Sequence, residues 1–241
     1  MAIPPSLVLT AASVLNLISS AILGVLETRG IHMEYSKFFD ASSTKIKVGS
    51  RVGMLLLYTP AFLVDFRFLL LKSAITIHFL KRIFEVSFIH KYSGEMTLDT
   101  MIIILFSYLF LSSSLIYTQN LNQELLEPWI DLKYPGIVLF LIGISGDFYH
   151  HFLLSKLRTK GSKDYKVPKR GLFELVICPH YLVEILGFLG ISLISQTLYS
   201  FSTTLGTALY LMARSYAAKR WYISKFEDFP KEVNALIPCV F

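Results

Sequence analysis

Long apolar stretches separated by short polar ones run the length of the chain. A membrane-spanning helix needs about 20 mostly apolar residues, and the pattern predicts seven such segments, starting near Pro5, Val52, Leu69, Leu98, Tyr134, Leu172 and Phe201. Only Asp65, Arg67 and Lys72 are available to mark a turn between the second and third, so six is the alternative count. The expected fold is an all-α integral membrane protein, a bundle of about seven transmembrane helices forming a single membrane domain over residues 1–241. Composition agrees: 54% hydrophobic residues, 17% charged and a mean hydropathy of +0.55 exclude an ordinary soluble domain.

The basic residues test the count, because Lys and Arg concentrate in cytoplasmic loops near span ends. With seven spans, all of the 23 Lys and Arg except Arg67, Lys72 and Lys133 fall on one side. That arrangement puts the carboxyl terminus in the cytoplasm and the amino terminus across the membrane. The net charge of +6 is then mostly topology. A face so basic suits anionic lipid or an anionic ligand arriving from the cytoplasm, and charge alone leaves both open. The stretch up to Glu27 lacks the basic region of a cleaved signal, so the first span is expected to be retained. Two cysteines, Cys178 and Cys239, are too few for a disulfide framework and are expected to be unbridged.

The polar residues inside the apolar segments carry the candidate chemistry, since ionisable groups at membrane depth are costly and face one another, a cavity or a ligand. They concentrate between Gly146 and Glu184. If the segment from Tyr134 to Arg158 is helical, Asp147 precedes His151 by four residues and Arg158 follows His151 by seven, spacings that share one helical face. His180 and Glu184 repeat the interval of four, and Arg214 with Tyr222 extends the pattern to the last helix. Any one of these could serve interhelical packing alone. Three polar stripes together predict a shared pocket. Gly136, Gly143 and Gly146 read as points of close helix contact. The loop KDYKVPKRGLFE sets Lys163, Lys166, Lys169 and Arg170 beside Tyr165, with Pro168 breaking any helix. Positive charge beside an aromatic ring can hold a phosphate and an adenine; a solvated basic loop is the plainer reading.

Asp147, His150, His151, His180 and Glu184 are all metal-ligand types. However, neighbouring histidines on a helix point about 100° apart, and His32, His78 and His90 lie far away in sequence. No metal is expected. No GxGxxG follows a strand and no GxxxxGK[ST] occurs, so a nucleotide cofactor would be held by helices. No nucleic-acid partner is expected.

The segments GDFYHHFLLSKLR, YKVPKRGLFE, CPHYLVEI and RSYAAKRWYISKFEDFPKEVNALIPCVF, with HFLKRIFEVSFIHKYSG upstream, resemble the steroid 5α-reductase family, which includes very-long-chain enoyl-CoA reductases and polyprenol reductases. The resemblance is strong over residues 134–241, and the combination resembles a plant-type branch. It implies a seven-helix protein of the endoplasmic reticulum membrane that uses NADPH to reduce a carbon–carbon double bond conjugated to a carbonyl. The cofactor would enter from the cytosol, and the lipid or steroid substrate from the bilayer. By motif position, Arg82, Asp147, His151, Arg158, Tyr165, His180, Glu184, Arg214 and Tyr222 would hold NADPH, with Arg158 and Arg214 on its phosphates.

The chain departs from the steroid-reducing members where the substrate ketone binds. Leu57 and Tyr58 replace a Gln–Glu pair, and Phe79 replaces a Tyr. His180 replaces the Asn of some members. Reduction needs a donor that stabilises the enolate and supplies a proton, which makes Tyr58 the candidate catalytic residue; interhelical packing is its plainer role. Two other readings remain at this point: a membrane methyltransferase of the isoprenylcysteine type, and a cofactor-binding membrane protein without turnover.

Overall fold

The computed structural model describes residues 7–64, 71–92, 94–122, 130–157, 165–230 and 232–241. Seven α-helices occur among them: α1 (Leu7–Thr28), α2 (Ser50–Val64), α3 (Leu71–Phe84), α4 (Leu98–Asn122), α5 (Lys133–Leu157), α6 (Pro179–Ser195) and α7 (Leu198–Lys225). Three stretches are long and apolar enough to cross a membrane: Leu9–Thr28, Leu98–Leu121 and Lys133–Leu157. The faces they turn outward are apolar, with Leu15, Ile18 and Ile22 exposed on α1 and Ile103, Phe106 and Phe110 exposed on α4. Such faces belong in lipid. The chain is therefore a membrane protein.

The helices pack as α1 with α7, α5 with α6, and α2 with both α3 and α4, while α6 also contacts α3 and α7. Glycines set the α5–α6 seam. A Cβ on Gly136 would lie 2.8 Å from the Gly190 carbonyl oxygen, and one on Gly143 or Gly190 would collide with the facing backbone. Small residues let the two backbones touch where lipid offers no hydrophobic drive to hold helices together. This is the role expected of Gly136 and Gly143, whereas a Cβ on Gly146 would meet only the Val183 side chain, 3.1 Å away. The α1–α7 seam adds polar links to close contacts at Gly24 and Gly206. Asn16 Nδ2 donates to Thr203 Oγ1 at 3.3 Å, and Ser202 Oγ donates to the Ser13 carbonyl at 2.6 Å.

The expected start of the sixth span near Leu172 is corrected by the structure. Gly171–Glu174 forms a single 3-10 turn, and α6 begins only at Pro179. The intervening backbone is bonded elsewhere: Ile177 N–H donates to the Asn234 carbonyl at 2.9 Å and Cys178 N–H to that of Ala235 at 3.2 Å. Those groups cannot also close a helix. Pro179, which has no N–H to satisfy, then fits the first turn.

The all-α expectation also misses a small ribbon, β1 (Lys47–Gly49) paired antiparallel with β2 (Glu95–Thr97), with Val48 opposite Met96. Tyr35 bridges to Met96 as well. The segment between α1 and α2 is thereby held against the start of α4. The turn expected at Asp65 and Arg67 lies outside the described residues, but α2 and α3 are separate helices. Beyond α3 the chain runs into one π-helical turn, Glu85–Ile89, closed by His90 N–H donating to the Glu85 carbonyl at 2.7 Å. π-turns of this kind are frequent at functional sites. This one carries Glu85.

Candidate functional site

The polar stripe on α5 meets α3 and α6 in a buried cluster. Lys81 Nζ lies 2.9 Å from Glu85 Oε1 and also pairs with Asp147 Oδ2. Arg82 Nη1 donates to Glu85 Oε2 at 3.2 Å and stands 3.2 Å from His151 Nδ1. His151 Nδ1 is 3.1 Å from Glu85 Oε1, and its ring lies 5.4 Å from that of His180. The interval of four residues thus places Asp147 and His151 on one face, as the sequence implies. His150 points away. Its Nδ1 faces the Gly146 carbonyl at 2.7 Å and its ring packs on Phe173.

Several buried polar atoms in and beside this cluster have no hydrogen-bond partner among the described residues, including Asp147 Oδ1 and His180 Nδ1. Buried polar groups left unmatched cost about 1–3 kcal/mol each. Two of them at one helix junction fit a ligand that carries amide and hydroxyl groups. Glu184 is one turn beyond His180 on α6 and within electrostatic reach of Tyr58, Arg82 and Asp147.

Tyr58 is 3% exposed, and Arg82 Nη2 donates to its phenol oxygen at 2.7 Å. The Tyr108 ring is 5.5 Å from that of Tyr58 and 5.6 Å from that of Phe79. Tyr108 is therefore a second phenol at the place where sequence matching offers only Tyr58.

Glu85, His90 and His151 each offer one atom within 4.8 Å of the others, spacing that a metal ion could use. The Lys81 and Arg82 cations already occupy the same carboxylate. A further cation would meet two positive charges at contact distance. Burial pushes the His90 imidazole down to about 2, with the His151 ring and the Arg82 guanidinium adding to the effect.

Arg214 and Tyr222 lie in a different neighbourhood. Arg214 Nη1 donates to Glu27 Oε1 of α1, and its guanidinium sits 4.6 Å from the Tyr35 ring centre and 4.2 Å from that of Phe38. The arginine expected on a cofactor phosphate is thus already paired with a carboxylate, leaving Nε without a partner among the described residues. Tyr222 stacks on Phe229 at 5.4 Å beneath Lys37 Nζ at 4.8 Å. The Tyr165 ring packs on Trp221 at 4.9 Å. Between the Tyr165–Ile177 segment and the Phe229–Val233 segment lies a cleft of about 470 Å³, lined by Val167, Lys169, Phe173, Tyr222, Phe229 and Pro230. Arg158 lies outside the described residues. Cys178 and Cys239 are both free, and burial pushes the Cys178 thiol up to about 11, so it is inert.

Sequence reasoning missed Glu27, Tyr35, Lys37, Lys81, Glu85 and Tyr108. An acid within the apolar run of α1 was the readable signal for Glu27.

Residues 90–241 match the family model described as 3-oxo-5-alpha-steroid 4-dehydrogenase. A very-long-chain enoyl-CoA reductase from Dictyostelium discoideum is 34% identical over 165 residues, 68% of this chain and 55% of that protein. Steroid 5-alpha-reductase DET2 of Gossypium hirsutum is 36% identical over 126 residues, 52% of this chain and 48% of that protein. The human 3-oxo-5-alpha-steroid 4-dehydrogenase 2 is 31% identical over 114 residues, 47% of this chain and 45% of that protein. The chain spans about half the length of the curated relatives it matches.

Proposed function

The chain belongs to the 3-oxo-5-alpha-steroid 4-dehydrogenase family, and on that premise we propose that it is an NADPH-dependent reductase of the double bond in an α,β-unsaturated carbonyl lipid. All seven helices cross the endoplasmic reticulum membrane in this reading, with the carboxyl terminus in the cytosol. The observation that carries it is the buried cluster of α3, α5 and α6, whose Asp147 Oδ1 and His180 Nδ1 have no hydrogen-bond partner among the described residues. Asp147, His151, His180, Glu184 and Arg82 hold the nicotinamide half of the cofactor. Tyr165 and Tyr222 border the basic, aromatic end, where the cleft beside Lys169 accepts the adenosine. Arg158 is assigned to a phosphate by motif position alone.

When bound, the reduced nicotinamide supplies a hydride to the β-carbon of the substrate. The chain must then stabilise the enolate and protonate the α-carbon. In this reading Tyr58 is assigned both tasks. Its hydroxyl accepts a hydrogen bond from the Arg82 guanidinium at 2.7 Å, which fixes the phenol's orientation. The enoyl-CoA and steroid reductases among the relatives support the bond reduced; none of the relatives named above is described as a methyltransferase.

The deciding experiment is single-turnover NADPH oxidation by the protein in lipid nanodiscs, against 3-oxo-Δ4 steroids, polyprenyl enals and long-chain enoyl-CoAs. Oxidation by one class establishes the reductase and its substrate. Tight binding with no oxidation leaves a cofactor-binding protein without turnover, and absence of binding overturns the reading.

A further inference from the structure

The Tyr58 phenol is buried, and its oxygen accepts from Arg82 Nη2 at 2.7 Å. Nothing among the described residues accepts the proton of that phenol, although a buried hydroxyl ordinarily uses both of its capacities. With one side of the oxygen taken by an N–H, the O–H turns to the other side, away from the guanidinium. Where Arg82 stands therefore sets the direction in which the proton points.

Arg82 does not hold that place alone. A guanidinium is planar and rigid, so pinning one nitrogen fixes the others. Nη1 donates to Glu85 Oε2 at 3.2 Å, and Nη2 is the nitrogen that meets Tyr58. Glu85 is itself immobilised. Its side chain is fully buried, and Oε1 lies 2.9 Å from Lys81 Nζ and 3.1 Å from His151 Nδ1. Lys81 in turn pairs with Asp147 on α5. The spacing of KRIFE makes this possible, since Lys81 and Arg82 precede Glu85 by four and three residues and so share its face. The π-helical turn begins at this same residue. From His151 through Glu85 and Arg82 to the phenol, each step is 3.2 Å or shorter.

We infer that Glu85 is a positioning residue, which holds Arg82 by one nitrogen and thereby aims the Tyr58 O–H at the space where the substrate's conjugated carbonyl lies. This rests on the reductase reading above, with Tyr58 as the donor. Hydride passes from the reduced nicotinamide to the β-carbon, and the Tyr58 proton passes to the α-carbon. Glu85 exchanges no proton and touches no substrate in either step.

The test is a double-substitution cycle on single-turnover NADPH oxidation, followed by stopped flow with full-length protein in nanodiscs and the substrate class that the wild type reduces. Glu85→Gln keeps the shape of the side chain but accepts on one side only, so it cannot serve Arg82 and Lys81 together. It is expected to slow the first turnover about tenfold or more, with NADPH affinity, read by fluorescence without substrate, held within about twofold. In a Tyr58→Phe background no proton remains to be aimed, and the same substitution should change the rate by less than about twofold. Glu85→Asp keeps the charge but draws the carboxylate back by one methylene; run through the same cycle, it covers the case in which Glu85→Gln does not fold. Equal slowing in both backgrounds overturns the positioning role, as does an unslowed first turnover or a loss of NADPH affinity as large as the loss of rate. Tyr58→Phe as fast as the wild type removes the donor and the role of Glu85 with it, while the reductase stands. A wild type that oxidises NADPH with no lipid overturns the reductase reading itself.

Discussion

Two buried ion clusters lie at the same end of the bundle and differ in how completely they are closed. The cluster of α3, α5 and α6 brings Lys81, Arg82, Glu85, Asp147 and His151 together yet leaves Asp147 Oδ1, and His180 Nδ1 beside it, without a partner among the described residues. The cluster of α1 and α7 places Glu27 between Arg214, His32 and Tyr210 and covers the guanidinium with two aromatic rings, leaving Arg214 Nε unmatched. An open set of valences fits a ligand site. A carboxylate with three partners fits a joint between helices.

The sharpest break should come at the joint. Glu27→Ala strands a buried arginine and is expected to cost about 3–5 kcal/mol, read as a large fall in thermal midpoint in nanodiscs; an unchanged midpoint would show that the pair does not hold α1 to α7. Next comes Tyr58→Phe, beside the open cluster. It should slow the first turnover about a hundredfold with the thermal midpoint nearly unchanged. Asp147→Asn should weaken NADPH binding about tenfold by titration, and a loss of stability without a loss of affinity would make the open cluster a second joint.

A smaller effect concerns pH. His90 is held neutral in the fold with its value pushed down to about 2 by burial, whereas the unfolded chain takes up this proton near 6.5. Stability present above about pH 6.5 is therefore lost as pH falls. The thermal midpoint should be lower at pH 5 than at pH 7.5, and His90→Gln should flatten the difference. The smallest change is Lys45→Gln. Its contacts with Glu34 and Asp99 are half-exposed and screened, so the midpoint should stay within the scatter of repeated scans.

What the sequence made legible follows from distance along the chain. Asp147 and His151 sit one helical turn apart, and so do His180 and Glu184; periodicity alone aligns such residues. The helices were legible for the same reason. Lys81 reaches Asp147 across 66 residues and Arg214 reaches Glu27 across 187, and no local pattern encodes those meetings. Arg214 was assigned to a phosphate by motif position, and its pairing with the α1 carboxylate could not be read from that match. The start of α6 was misplaced because Leu172–Cys178 is apolar enough to continue the span, while the backbone of Ile177 and Cys178 is spoken for by Asn234 and Ala235 near the far end of the chain.

The pairing of α1 with α7 has a consequence for biogenesis. Ribosomes add about 5–20 residues per second, so Glu27 emerges some ten to forty seconds before Arg214, given the 187 residues between them. Until then the Glu27 carboxyl has His32, five residues on, as its partner but lacks the α7 arginine that meets its other oxygen. Arrival of α7 completes the Glu27 pairing. The contact between the first and last helices is thus made only when nearly the whole chain has been synthesised.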